Sequence, residues 1–342
     1  MTDSYKRYAQ EMLPAIEQEM RLVLQADGKN QPDLFWGMMH YHMGWVDAEL
    51  NPAVVNSGKR IRPLTCLIST AAAGGTWQQA LPAAASIELL HNFSLIHDDI
   101  EDNSPTRRGR DTIWKIWGIE QAINSGDAMF ALAHLSMSRL VNREVDAAIV
   151  VQALRRFDET CVRLTQGQHA DMDFEQRDLV AVDDYVQMIT GKTAVLLALC
   201  SELGALIAGA PPEIVTHYHQ FGLALGLAFQ VIDDILGIWG DETLTGKSAA
   251  TDILTKKKTL PVLFGLEQSE ELQNLYQHEE ANAAFVQKVV TLLDNSGAYA
   301  FAKQKALTYS HQALTHLEST QPAGDAGTAL FELAHMLLKR NY

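Results

Sequence analysis

The chain has 342 residues, 47% of them apolar, and carries 27 Lys and Arg against 42 Asp and Glu, a formal net charge of -15. That apolar content suffices for a sizeable core in one large or two ordinary domains. The acidic balance argues against a nucleic-acid surface and against general attraction to anionic lipid.

Apolar residues recur at three- and four-residue intervals and strict alternation is scarce, so an all-α protein is expected. The opening MTDSYKRYAQEML lacks the apolar core of a signal peptide, and no charge-free apolar run of about 20 residues follows, which predicts a chain without stable membrane insertion. Residues 1–57, with the aromatic and histidine-rich stretch Phe35 to Trp45, are expected to add helices of no assigned function. The clearest helical stretches run from Leu81 to Asp102, Ile119 to Val141, Ala147 to Gln168, Asp183 to Ala208 and Glu213 to Trp239, with Pro82 and Pro211-Pro212 near helix starts. Several are apolar on more than one face and belong centrally or against a partner chain. No Pro/Gly/Ser-rich linker divides the chain, so one domain over 1–342 is expected. Cys66, Cys161 and Cys200 are scattered without metal-ligand or disulfide spacing, which points to a reducing cytoplasm.

Two of these helices end in acid. The first closes on Asp98-Asp99-Ile100-Glu101-Asp102, where Asp98 and Asp102 share a face about one turn apart and can grip one cation or two neighbouring ones. Arg107-Arg108-Gly109 follows, two permanent cations able to meet phosphate oxygens in fork geometry. Together they describe a site for Mg2+ and diphosphate, since magnesium takes a few carboxylates and completes its shell with phosphate oxygens and water. A solvated acidic helix end is the plainer reading of one such cluster, but the second helix repeats the pattern with Gln230 and Asp233-Asp234. Gly222 and Gly226, four apart on that helix, would allow close backbone approach. Counting back from Asp98 gives Ser94, His91 and Ile87 on one stripe; His91 could donate to a phosphate or simply be a hydrogen-bonded core histidine. Lys192-Thr193 interrupts an apolar run, where a lysine can also merely snorkel. Gly240 to Ser248 imitates a P-loop, but it has one residue too many between its glycines and follows a helix. Lys247 could still contact phosphate as a point charge, and Lys256-Lys257-Lys258 continues the basic segment or is an ordinary solvated run.

Taken together, GKRIRP (Gly58 to Pro63), ELLHNFSLIHDDIEDNSPTRRG (Glu88 to Gly109), GQHAD (Gly167 to Asp171), GKT (Gly191 to Thr193) and FQVIDD (Phe229 to Asp234) resemble the trans-type isoprenyl diphosphate synthases, the polyprenyl synthetase family. The resemblance implies an all-helical bundle around a deep central cavity, usually homodimeric. It implies condensation of isopentenyl diphosphate with an allylic diphosphate, with three Mg2+ ions. Asp98 and Asp102 would ligate two ions and Asp233 the third, with Asp99 and Asp234 supporting and Gln168 and Asp171 behind the metal cluster. Arg107, Lys192, Lys247 and Lys257 would hold the allylic diphosphate; Lys59, Arg62, His91 and Arg108 would hold that of isopentenyl diphosphate. Thr193 and Gln230 would face the allylic cation.

Three positions depart from the family pattern: Gly237 where a fifth-position aspartate often sits, Trp114 where many members carry histidine, and Lys256 in place of the glycine before Lys257. Product length is expected to be set below Asp98, where Phe93 and Ser94 are the first obstacles with Leu90 and Ile87 beneath. One bulky and one small residue there resemble short-chain synthases making geranylgeranyl diphosphate, with farnesyl or a longer diphosphate as the alternative. A class I terpene cyclase shares the first acidic cluster, but the Asn/Asp, Ser/Thr, Glu triad of its second helix is missing, since Gly237 and Asp241 stand at those offsets after Asp233.

Overall fold

The three- and four-residue spacing of apolar side chains is realised as helix almost everywhere in the computed structural model, which describes residues 3–25, 33–55, 58–240 and 251–339. In chain order the helices are α1 (Asp3–Val23), α2 (Leu34–His42), α3 (Ile61–Ala72), α4 (Leu81–Glu101), α5 (Ile113–Trp117), α6 (Ile119–Ser138), α7 (Ala147–Gln176), α8 (Val182–Ile189), α9 (Val195–Ile207) and α10 (Pro212–Trp239). Then follow α11 (Thr251–Leu254), α12 (Leu260–Gln268), α13 (Glu270–His278), α14 (Ala283–Ser296), α15 (Ala298–Ser319) and α16 (Gly324–Leu338). Among the described residues the only ladder is a small antiparallel ribbon, β1 (Thr106–Arg107) on β2 (Arg110–Asp111), pairing Thr106 with Asp111 and Arg107 with Arg110. The all-α expectation holds.

The chain divides into two compact units, and neither is a continuous stretch. The first comprises Met1–Arg156, Leu203–Pro211 and Ala323–Leu330; the second comprises Phe157–Glu202, Pro212–Pro322 and Phe331–Tyr342. α7, α9 and α16 each contribute to both, so three of the five changes of unit fall inside helices and the other two fall at Pro211–Pro212 and Pro322–Ala323.

In the first unit α4 is the centre. Pro82 sits in its first turn, where a missing amide donor costs little. Asn103, in the left-handed region at φ 49, and Pro105 beyond it stop the helix after the acidic cluster. Most of its length is buried, from Leu81 to Leu90 without a break, and α1, α3 and α6 pack around it. α1 is fixed by Glu19, a buried carboxylate that accepts from Arg139 Nε at 3.1 Å and Arg143 Nη2 at 2.8 Å.

In the second unit α10 packs along α15 and against the turn preceding α9. The close approach expected from Gly222 and Gly226 is present: a Cβ at Gly222 would lie 2.3 Å from the Leu197 carbonyl oxygen, and one at Gly226 would lie 2.6 Å from Ala194 Cα. Three helical stretches differ from the expected ones, the first being α6, which ends at Ser138 and gives way to a 3-10 turn over Arg139–Arg143. α7 runs on to Gln176, because the segment after Gln168 loses apolar spacing but contains no Gly or Pro to stop a helix. The stretch expected as one helix from Asp183 to Ala208 is interrupted by a π-helical turn over Thr190–Ala194, a local widening that breaks the regular ladder. Val182–Ile207 and Pro212–Trp239 are apolar and long enough to cross a membrane by composition, yet 72% and 61% of their most apolar windows are buried inside the protein. They are core helices here.

Candidate active site

In the first unit the last turns of α4 sort the aspartates by depth. Asp98 is half-buried and Asp102, the helix C-cap, is exposed, with its N–H on the Asp98 carbonyl at 2.8 Å. Asp99 points the other way into the protein, 3% exposed, and accepts from Arg107 Nε at 2.8 Å. Burial raises the pKa of Asp99, opposed by the Arg107 guanidinium. The β1–β2 ribbon thus anchors Arg107 to α4.

The Gly58-Lys59-Arg60-Ile61-Arg62 segment meets the same region. Gly58 takes φ +101, and a Cβ there would come within 3.3 Å of Arg108 Nη2, so glycine serves both the backbone turn and the seating of that guanidinium. Arg62 Nη1 lies 3.3 Å from His91 Nε2. A guanidinium can only donate, so that imidazole nitrogen accepts, and any hydrogen bond from His91 to a phosphate must come from Nδ1. Burial, then Arg62, Arg108 and Arg107, hold His91 well below its ordinary pKa, and the ring is neutral. Arg60 is buried and paired with Glu88, a structural role. Lys59 is exposed.

Two further residues of this unit carried no sequence signal. His42, at the end of α2, is driven down to about 3 by burial and by Arg108, Arg107 and Arg60, so the N-terminal segment reaches the arginine cluster. Phe130, on α6, packs against Phe93 as a tilted pair with ring centroids 4.9 Å apart. Phe93 also meets His97 at 4.7 Å, and Phe130 meets His134 at 4.6 Å. Ser94 is turned back onto the His91 carbonyl at 2.8 Å, while Ile87 and Leu90 are fully packed core.

In the second unit the π turn carries Lys192 and Thr193. Gly167 of α7 lies so close that a Cβ would come within 2.2 Å of the Lys192 backbone nitrogen. Lys192 Nζ donates to Asp171 Oδ2, and Gln168, half-buried, lies three residues before Asp171 on α7. Thr193 Oγ1 donates to Gln230 Oε1 at 3.0 Å, and Gln230 Nε2 donates to Asp234 Oδ1 at 3.0 Å. Asp233 is half-buried, whereas Asp234 is 3% exposed and also accepts from the Tyr185 hydroxyl at 2.7 Å and the Leu260 N–H at 3.3 Å. Burial raises the Asp234 pKa against the pull of those donors. The two acidic motifs therefore share one arrangement: the first aspartate is partly accessible and the second is buried and spent on protein partners.

The three departures each have a physical setting. Gly237 leaves room for Asp252, whose Oδ2 would lie 2.0 Å from a Cβ at that position. A carboxylate from the following segment thus stands beside the place where the helix lacks one. Trp114 Nε1 donates to the Ser104 carbonyl at 2.9 Å, tying α5 to the loop after α4. Lys256 takes φ 52, the left-handed conformation that a glycine adopts without strain, and its ammonium is held by the carbonyls of Tyr276 and Glu279 at 2.8 and 2.7 Å. Lys258 likewise donates to the carbonyls of Phe174 and Arg177, whereas Lys257 between them is exposed. Lys247 and most of the P-loop-like stretch lie outside the described residues.

Among the described residues no three His, Cys, Asp or Glu side chains converge as a preformed metal cage. Within the first unit Asp98 and Asp102 offer carboxylate oxygen one helical turn apart, and within the second unit Asp233 offers its own; each is a sparse hard donor of the type that suits Mg2+ with phosphate oxygens and water completing its shell.

The sequence profile of the polyprenyl synthetase family matches residues 44–293. A geranylgeranyl diphosphate synthase of Mycobacterium tuberculosis is 38% identical over 308 residues, covering 89% of this chain and 86% of that protein. A farnesyl diphosphate synthase of the same organism is 44% identical over 227 residues, 66% of this chain and 62% of that one. Among solved structures, a geranylgeranyl pyrophosphate synthetase from Pyrococcus horikoshii superposes with a TM-score of 0.87 at 29% identity, covering 99% of both chains. A polyprenyl synthetase from Streptomyces coelicolor gives 0.84 at 31% identity over 97% of this chain and 98% of that one.

Proposed function

Because the chain belongs to the polyprenyl synthetase family of prenyltransferases, we propose that it joins isopentenyl diphosphate head-to-tail to an allylic diphosphate and that its main product is geranylgeranyl diphosphate. The observation that carries this reading is the sorting of the two acidic motifs, in which Asp99 and Asp234 are consumed by Arg107 and by Tyr185 and Gln230 while Asp98, Asp102 and Asp233 keep accessible surface.

Asp98, Asp102 and Asp233 would hold Mg2+, three ions by the family pattern. Bound there, the metal supplies neutralising charge for the diphosphate that departs from the allylic carbon. Arg107, Lys192 and Lys257, with Lys247, bind that diphosphate and add fixed positive charge where negative charge develops. Lys59, Arg62, His91 and Arg108 hold the diphosphate of isopentenyl diphosphate, with His91 neutral and the arginines supplying the charge. Thr193 and Gln230 present oxygen atoms to the allylic cation, and the apolar surroundings keep water from quenching it. The double bond of isopentenyl diphosphate attacks the cation, and the proton lost afterwards goes to the released diphosphate, so no protein base is assigned.

Product length is assigned to Phe93, with Ser94 beside it. The tilted packing of Phe93 between Phe130 and His97 supports the assignment, because the ring is held rather than free to swing aside. Phe93→Ala is expected to move the main product up by at least one five-carbon unit, read by chromatography of the dephosphorylated alcohols; an unchanged distribution removes Phe93 from this role. Gly237→Asp, which rewrites the second motif to its commoner form, is expected to lower kcat by about tenfold rather than raise it, because the new side chain and the Asp252 carboxylate claim one volume. Steady-state rates of the two proteins decide the point.

We further propose a homodimer in the cytoplasm. Exposed Ile119, Ile123 and Leu135 on α6 and Val151 and Val162 on α7 support a partner chain, and three buried free cysteines suit a reducing compartment. The deciding experiment incubates the protein with Mg2+, isopentenyl diphosphate and each of dimethylallyl, geranyl and farnesyl diphosphate. A chelator-sensitive geranylgeraniol peak after dephosphorylation supports the reading. A cyclic hydrocarbon formed without isopentenyl diphosphate would overturn it.

A further inference from the structure

Tyr185 lies on α8, outside every motif that carries the resemblance, and it is buried at 4% exposure. Its hydroxyl donates to Asp234 Oδ2 at 2.7 Å, and the Leu260 backbone N–H reaches the same oxygen at 3.3 Å. The other oxygen, Oδ1, receives Gln230 Nε2, and Gln230 Oε1 receives the Thr193 hydroxyl. Four residues from α8, the π turn and α10 thus form one directed chain of hydrogen bonds that ends on a carboxylate.

Direction is the point of the chain. An amide side chain has a donor end and an acceptor end, and a carboxylate only accepts. With Asp234 at one end, Gln230 must turn its nitrogen to Asp234 and its oxygen to Thr193. The Thr193 proton is then engaged by Gln230, and the hydroxyl oxygen keeps its lone pairs for another partner. Reversing the amide would place a hydrogen where an allylic cation requires an oxygen. The carboxylate can enforce this order only if its own plane is fixed, and Tyr185 holds the oxygen that Gln230 does not.

We propose that Tyr185 is a positioning residue for prenyl transfer: by pinning Asp234 it fixes the Gln230 amide, so that oxygen rather than hydrogen atoms of Gln230 and Thr193 face the allylic cation. This rests on the function proposed above, which puts Thr193 and Gln230 beside that cation.

Tyr185→Phe keeps the ring and removes the hydroxyl. A hydrogen bond to a charged group, converted at about 1.4 kcal/mol per tenfold, predicts a kcat about 10- to 100-fold lower, with KM for both substrates within about twofold. Asp234→Asn keeps the shape but leaves one acceptor oxygen; with the Leu260 N–H, which can only donate, claiming that oxygen, the NH2 group faces Gln230 and the amide turns over, so the same loss in kcat is expected whatever its effect on Tm. In a Gln230→Leu background, adding Tyr185→Phe should cost less than about threefold more, since the amide being positioned is already gone. Equal fold-losses in both backgrounds would mark a merely structural tyrosine and overturn the inference, as would a Tyr185→Phe enzyme within about twofold of its parent. Should the parent itself transfer no prenyl group, the underlying reading falls instead.

Discussion

Asp98→Asn is expected to lower kcat by on the order of 10^3-fold and to raise the Mg2+ concentration needed for half-maximal rate, while the folding free energy stays within about 0.5 kcal/mol of the parent. Asparagine has the shape of aspartate, and the residue is half-buried at the end of a helix whose stability comes from the apolar segment before it. Removing one charge therefore costs little in packing. It costs much in chemistry, because the role proposed for this carboxylate is to hold the Mg2+ that would neutralise the negative charge developing on the departing diphosphate. Asp99→Asn is the control. That residue accepts from Arg107 inside the protein, so its loss should appear first in thermal stability and in the docking of the β1–β2 ribbon, with the half-saturating Mg2+ concentration little changed. Titrating Mg2+ against initial rate for the two variants, with unfolding followed in parallel, separates them. Asp98→Asn activity within tenfold of the parent would remove Asp98 from the ligand set.

Gly167→Ala sets two effects of opposite sign against each other. In the middle of a helix, alanine is better than glycine by about 1 kcal/mol. At this site the added carbon would lie 2.2 Å from the Lys192 backbone nitrogen and 2.6 Å from the Gly191 carbonyl carbon, and neither can swing away as a side chain would. Overpacking of that severity costs about 1–3 kcal/mol or more, so steric conflict wins. The expected outcome is a net loss of stability of about 1–2 kcal/mol, together with a kcat at least tenfold lower, since the strain falls on the turn that presents Lys192 and Thr193. Urea unfolding and steady-state kinetics on the same preparation test both halves. A rise in stability would mean that α7 and the π turn are not in contact.

The long helices were legible because their signal is local. Three- and four-residue apolar spacing from Leu81 onwards, a proline in the first turn and Asn103 at the end are all contained within α4 itself. The same is true of Asp98 and Asp102, whose shared face follows from their spacing alone. The π turn was hidden for the opposite reason. Nothing between Thr190 and Ala194 announces it apart from Gly191, and that glycine matters only because Gly167, more than twenty residues earlier, rests against it. Tyr185, His42 and Asp252 were missed on similar grounds: each acquires meaning from a residue far away in the chain, and a lone tyrosine, histidine or aspartate has no spacing to read. Lys256 is intermediate. Its departure from the family glycine was visible, but the backbone angle and the two carbonyls that hold its ammonium were not.

The seating of Asp252 over Gly237 also bears on how this lineage can change. An aspartate at 237 would meet the Asp252 carboxylate where that side chain now stands, and Asp252 would have to rotate away to admit it. A change on the helix thus carries a rearrangement of the following segment with it, and the acidic form of the motif depends on which residue stands at 252. Positions 237 and 252 should be exchanged together in any attempt to rebuild it.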